Sequence, residues 1–232
     1  MALTGCSNFR EVGSLGRQRL FRSDHLAGLT EADAAQIASM GIRRVLDFRG
    51  VNERAAALCG LPQATVHSLP IEPTIAQVLS RLIAAGHQLT TDEAVLHMQE
   101  TYRGFVRHST NRFAEFFQHL LESNEPTVFH CVAGKDRTGL AAALFLRGLG
   151  ISEDDVMRDY LLTNELLQVP DFSRHRVAPE VGAVLWRVRP EYLNAAFEVV
   201  DDDYGSLETY FREGLGLGPW ERDRLRRLYL DE

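Results

Sequence analysis

The stretch Thr127-Val-Phe-His-Cys-Val-Ala-Gly-Lys-Asp-Arg-Thr-Gly139 constrains this chain more than any other part of it. Four residues of strand character, Thr127 to His130, end on a cysteine; a glycine-bearing charged segment follows, and Thr138 to Leu149 reads as an unbroken helix. A strand that feeds a helix across so short a turn belongs to an α/β unit. Its turn is expected at the carboxyl edge of a sheet, where open α/β folds place their ligands.

The rest of the chain supplies elements to match. Leu20 to Arg22, Ile42 to Phe48 and Ala64 to Leu69 read as strands, separated by helices over Glu31 to Met40, with Thr30 and Asp33 as a capping box, and Asn52 to Leu58. Helical spacing continues over Thr74 to Ala85, Thr91 to Arg107 and Asn111 to Glu122, then after the loop over Glu153 to Leu167, Glu191 to Val200, Leu207 to Glu213 and Pro219 to Leu230. No repeat and no Gly/Ser/Pro-rich linker divides the 232 residues. The expected architecture is therefore a single α/β domain over 1–232, a mostly parallel central sheet flanked by helices.

The loop after the strand has the chemistry of an oxyanion cradle. The segment from Val132 through Ala133, Gly134, Lys135, Asp136 and Arg137 to Thr138 can wrap with its backbone N–H groups turned inward, at the positive end of the following helix. Gly134 permits backbone angles barred to other residues, and Arg137 can hold phosphate oxygens with two parallel hydrogen bonds. The same amides, dipole and guanidinium favour a charged nucleophilic sulfur at Cys131, and the Thr138 hydroxyl can donate to it when it leaves. A Walker-type phosphate loop is excluded, because it requires glycine where Phe129 stands and Ser or Thr where Asp136 stands. The other two cysteines, Cys6 and Cys59, have no disulfide or zinc spacing and are expected to be buried apolar thiols.

His130-Cys131-Val-Ala-Gly-Lys-Asp-Arg137-Thr-Gly139 resembles the His-Cys-x5-Arg-Thr/Ser loop of the cysteine-dependent tyrosine phosphatases. Together with Asn8-Phe-Arg10, Leu20-Phe-Arg-Ser23, Asp47-Phe-Arg49, Glu191-Tyr-Leu193 and Tyr204-Gly-Ser-Leu207, it is similar to the atypical bacterial branch of that family, the mycobacterial tyrosine phosphatase B group included. The resemblance implies Cys131 as nucleophile, Arg137 as phosphate ligand, a cysteinyl-phosphate intermediate and no metal or other cofactor. It also implies a helical lid, here over 74–107, with Tyr102 and Phe105 as its candidate contacts to an aromatic ring or lipid; packing into the core is the competing expectation for that stripe. The Trp-Pro-Asp acid loop common in the wider family is missing, which leaves Asp136 and Glu72 as candidates for the proton donor, Asp136 preferred for its place in the loop.

A phosphotyrosyl protein or peptide is the expected substrate. A phosphoinositide head group is the alternative, since a loop lysine such as Lys135 adds charge for a polyanion. A phosphate-binding module without turnover is the third reading, disfavoured because a binder has no need of the thiol. The net charge of −7 excludes a general nucleic-acid binder but not a local anion site. No apolar run reaches the roughly 18 residues of a membrane span. Leu3-Thr4-Gly5-Cys6 lacks the basic and apolar regions of a lipoprotein signal, so the expected location is cytoplasmic, or secreted without a recognisable signal peptide. His130 is expected to orient the loop, and Asp47 with Arg49 to form either a salt bridge or a substrate contact.

Overall fold

The computed structural model describes residues 3–13, 19–72, 78, 82, 87–169 and 178–230. Five strands form one sheet: β1 (Arg10–Glu11), β2 (Leu20–Ser23), β3 (Arg44–Asp47), β4 (Thr65–Ser68) and β5 (Thr127–His130), in the order β1-β2-β5-β3-β4. β1 is antiparallel to β2, and every other pairing is parallel. Among the described residues, the α-helices longer than one turn are α1 (Glu31–Ser39), α2 (Val51–Ala56), α3 (Thr91–Glu122), α4 (Arg137–Leu149), α5 (Glu153–Leu166), α6 (Pro179–Trp186), α7 (Pro190–Tyr204) and α8 (Pro219–Tyr229).

Strands buried on both faces carry apolar side chains in succession, and the period of two divides them between two cores. Leu20, Leu46 and Phe129 face the larger core, built with α3, α4, α5, α7 and α8, whereas Phe21, Val45 and Val128 join Ile37 of α1, Leu26 and Ile42 on the other side. The pairing register aligns Ser23, His130 and Asp47, so the chain leaves β2, β5 and β3 at one common edge. β5 lies between the other two, which centres Cys131 on that edge.

The helical stretches expected at 91–107 and 111–122 are one helix of 32 residues. Neither proline nor glycine interrupts His108-Ser109-Thr110, and the Thr110 hydroxyl donates to the Val106 carbonyl at 2.6 Å, within the helix itself. Met98, Tyr102, Phe105 and Val106, the apolar stripe over 91–107, are buried in the larger core. Most of 74–86 lies outside the described residues. β1, α6 and a single helical turn at Leu26–Gly28 have no counterpart among the elements expected from sequence. β1 is two residues long and defined only by its partner, and α6 starts at Pro179 without a side-chain cap. The expected helix at 207–213 is a single turn, Leu207–Thr209, continued by a wider turn over Tyr210–Gly214.

Candidate active site

Cys131 follows the last residue of β5 and is 2 % exposed. From there to α4 the backbone is held from outside through its carbonyls. The Phe48 N–H donates to the His130 oxygen at 2.9 Å and the His25 N–H to the Val132 oxygen at 2.8 Å. The Asn8 side-chain amide donates to the oxygens of Ala133 (3.3 Å) and Gly134 (3.0 Å), and Arg22 Nη2 donates to Gly134 at 2.9 Å. No peptide bond among the described residues is cis. In a planar trans peptide the N–H points opposite to the preceding carbonyl, so the N–H groups of Ala133, Gly134 and Lys135 are turned away from the β1–β2 edge. A cradle of amides thus arises because Asn8, Arg22 and His25 hold the other side of each peptide.

Gly134 is indispensable to this packing. Its φ of +63° is in the left-handed region, and a Cβ there would lie 2.1 Å from the Ser23 carbonyl oxygen. Arg22 is itself fixed by Asp159 of α5 at 2.8 Å, and Arg10 by the same carboxylate at 3.4 Å. The segments Asn8-Phe-Arg10 and Leu20-Phe-Arg-Ser23, singled out in the sequence, therefore act as the outer clamp of the loop.

Arg137 is the first residue of α4, and its side chain is 8 % exposed. Its Nη1 and Nη2 donate to the two oxygens of Glu53, at 2.6 and 3.0 Å, while Nη1 also reaches the carbonyls of Ile71 (2.9 Å) and Phe48 (3.3 Å). Burial works against the guanidinium charge, but Cys131, Glu53 and Asp136 outweigh it and hold Arg137 more firmly protonated than usual. Burial likewise opposes the Glu53 charge, and the pair with Arg137 overcomes it, so this carboxyl lies below its ordinary range. Glu53 was not among the candidates from sequence. Its only local signal is its place three residues after Gly50, whose N–H donates to Glu53 Oε2 at 2.7 Å.

The two candidate acids are in different surroundings. Glu72 accepts from the Val51 N–H at 3.0 Å and so caps α2. Asp136 stands at the start of α4, yet its side chain does not cap the helix. Instead its Oδ1 accepts from Lys135 Nζ at 2.8 Å and from the Tyr102 hydroxyl at 3.0 Å. Lys135 is 2 % exposed, its ammonium in contact with Asp136. The Thr138 hydroxyl is fully buried and meets no protein partner among the described residues, which leaves it available to a sulfur or a phosphate oxygen.

His130 is buried and its Nδ1 donates to the Cys131 carbonyl at 3.0 Å. Burial lowers its pKa more than Asp47, 3.7 Å away, raises it, so the ring is neutral and holds the Cys131 carbonyl without carrying charge. Asp47 and Arg49 form a buried bidentate pair, with Nε at 3.0 Å and Nη2 at 2.8 Å from the carboxylate: the salt bridge, of the two expectations for these residues. Cys6 is buried, and burial pushes its thiol up to about 12; burial also raises that of Cys59. Cys6 is thus the buried thiol expected, whereas Cys59 is only half-buried.

A parallel strand delivering a thiol into an amide cradle, with a locked arginine at the helix start, is the architecture of a phosphate-ester hydrolase. The sequence model of the tyrosine phosphatase family matches residues 1–231, and the chain belongs to that family. It is 32 % identical to the triple specificity protein phosphatase PtpB of Mycobacterium tuberculosis, over 98 % of both chains. A Cupriavidus necator protein, provisionally named as a tyrosine-protein phosphatase, is also 32 % identical, over 93 % of this chain and 84 % of its own. Among solved structures the chain is similar to the Siw14 catalytic core, at 10 % identity and a TM-score of 0.43 over 88 % of this chain and 95 % of that one. Among the described residues no helix is long and apolar enough to cross a membrane.

Proposed function

We propose that this chain hydrolyses phosphotyrosyl proteins or peptides through a phosphocysteine on Cys131. The observation that carries the reading is the convergence on one short loop of a buried thiol, outward-held carbonyls and an arginine locked by Glu53. The dianionic phosphate is bound by the amides of Val132 to Lys135 and by Arg137, which are fixed before it arrives and need no reorganisation as charge shifts onto the equatorial oxygens. Cys131 Sγ forms a bond to phosphorus while the bond to the tyrosyl oxygen breaks, and that oxygen takes a proton from Asp136. Water then attacks the cysteinyl-phosphate, its proton passes to Asp136, and phosphate leaves with the thiolate restored.

Asp136 is preferred to Glu72 because it stands in the loop itself, beside Arg137, and its Oδ2 meets no protein donor among the described residues, whereas Glu72 lies outside the loop with Oε1 on the Val51 N–H at the start of α2. The phosphoinositide reading draws less support, since the Lys135 ammonium is buried against Asp136 and would have to leave it to meet a head group. Cys131→Ser is the test. Turnover of p-nitrophenyl phosphate and of a phosphotyrosyl peptide should vanish while phosphate still binds; persistent turnover would remove the cysteine mechanism. Release from phosphoinositide vesicles measured beside the peptide decides between the substrate classes.

A further inference from the structure

Aspartate is among the best residues for capping a helix, and Asp136 stands at the start of α4 without doing so. Its carboxylate is drawn instead to a wholly buried pair of tyrosines. The Tyr102 hydroxyl, from α3, donates to Asp136 Oδ1 at 3.0 Å and lies 2.7 Å from the Tyr160 hydroxyl, from α5. Tyr102 has one proton to give and gives it to the carboxylate, so Tyr160 is the donor between the two hydroxyls. Burial, with Asp136 next, raises both phenols well above their ordinary range, and both remain neutral donors. The rings meet edge to face at 6.3 Å between centroids, and Tyr160 packs over the start of α4, where a Cβ on Gly139 would come within 3.0 Å of its ring. Gly139 thus admits Tyr160 to the base of the loop.

We propose that Tyr160 and Tyr102 form a positioning relay that fixes Asp136 by Oδ1, leaving Oδ2 to move the proton of the reaction. This rests on the reading of Asp136 as proton carrier. The relay ties the catalytic loop to the two helices, α3 and α5, and removes the rotation that would let Asp136 return to capping α4. Lys135 occupies the same oxygen, so both donors act on one side of the carboxylate. Neither tyrosine touches the substrate in this scheme; each acts through Asp136.

Leaving-group dependence provides the test, because a poor leaving group needs the proton more than a good one. Asp136→Asn should lower kcat on phenyl phosphate by ~10²-fold and on p-nitrophenyl phosphate much less. Tyr102→Phe should show the same bias at about tenfold, a partial loss of the acid's contribution, and add nothing further in the Asp136→Asn background. Tyr160→Phe should act in the same direction with a smaller loss, and serves in its place if Tyr102→Phe does not fold. An equal loss on both substrates, or one that persists when Asp136 is already Asn, would overturn the relay and make the tyrosines structural. Absence of leaving-group bias in Asp136→Asn itself would instead sink the assignment of Asp136, and loss of all turnover in Cys131→Ser would keep the nucleophile standing in that event.

Discussion

The link most open to attack is the one between Glu53 and Arg137. Replacing Glu53 with Ala removes two charge-assisted hydrogen bonds, at 2.6 and 3.0 Å, from a guanidinium that is 8 % exposed. Breaking a fully buried ion pair by deleting one partner costs about 3–5 kcal/mol. Here the cost should be lower, about 2–3 kcal/mol, because the Glu53 side chain is 20 % exposed and Arg137 keeps the carbonyls of Ile71 and Phe48. The catalytic loss should exceed the loss of stability in importance, since a guanidinium free to drift by about 1 Å costs on the order of 10²-fold in rate. Denaturant titration and kcat on p-nitrophenyl phosphate measure the two effects, with Glu53→Gln as the isosteric variant. The pH dependence provides a second check. Arg137 holds the folded pKa of Glu53 below its unfolded value of about 4.3, so the pair's contribution is complete above that pH and is lost as pH falls through the lower, folded value. The stability gap between wild type and Glu53→Gln should therefore be flat from pH 7 to 5 and close only in stronger acid. A gap that closed between pH 7 and 5, or a Glu53→Gln enzyme with unchanged kcat, would refute the reasoning.

Further outcomes follow from other contacts. Gly134→Ala places a methyl group 2.1 Å from the Ser23 oxygen at φ +63°, and should destabilise the fold by about 2–5 kcal/mol and abolish turnover, read by thermal melting and activity. Asn8→Ala frees the carbonyls of Ala133 and Gly134 and should weaken competitive inhibition by inorganic phosphate roughly 2- to 10-fold, with Cys131 untouched. Asp33 is held at about 2 by hydrogen bonds from the N–H groups of Thr30, Thr4 and Gly5, despite opposing desolvation. Its folded pKa is depressed, so its contribution is present above about pH 4 and lost as pH falls towards 2; Asp33→Asn should flatten that part of an acid titration followed by circular dichroism.

Much of this was legible because it is local. The strand Thr127–His130 could be read to the residue, and the capping box of Thr30 with Asp33 forms as the spacing predicts. Cys131, Gly134 and Arg137 stand a few residues apart on one loop, so their proximity is a property of the covalent chain and needs no tertiary information. The helix from Thr91 to Glu122 was harder, because a polar triplet such as His108-Ser109-Thr110 reads as a break until Thr110 is seen bonded to Val106 and packed at 3.0 Å from the Tyr210 hydroxyl.

The sequence by itself determined that a thiol, an arginine and the backbone between them share one loop, since local spacing and backbone stereochemistry are enough to define a cradle. Only the tertiary structure decided what makes that cradle rigid. Glu53 lies 84 residues from Arg137, Asn8 126 from Gly134 and Tyr102 34 from Asp136. No periodicity or motif encodes such pairs, because a charge or hydroxyl finds its buried partner only when strands and helices have brought the two together. The surroundings of the two carboxylates have the same origin: folding sets Glu72 against the start of α2 through Oε1 and leaves Asp136 in the loop, held by a buried tyrosine.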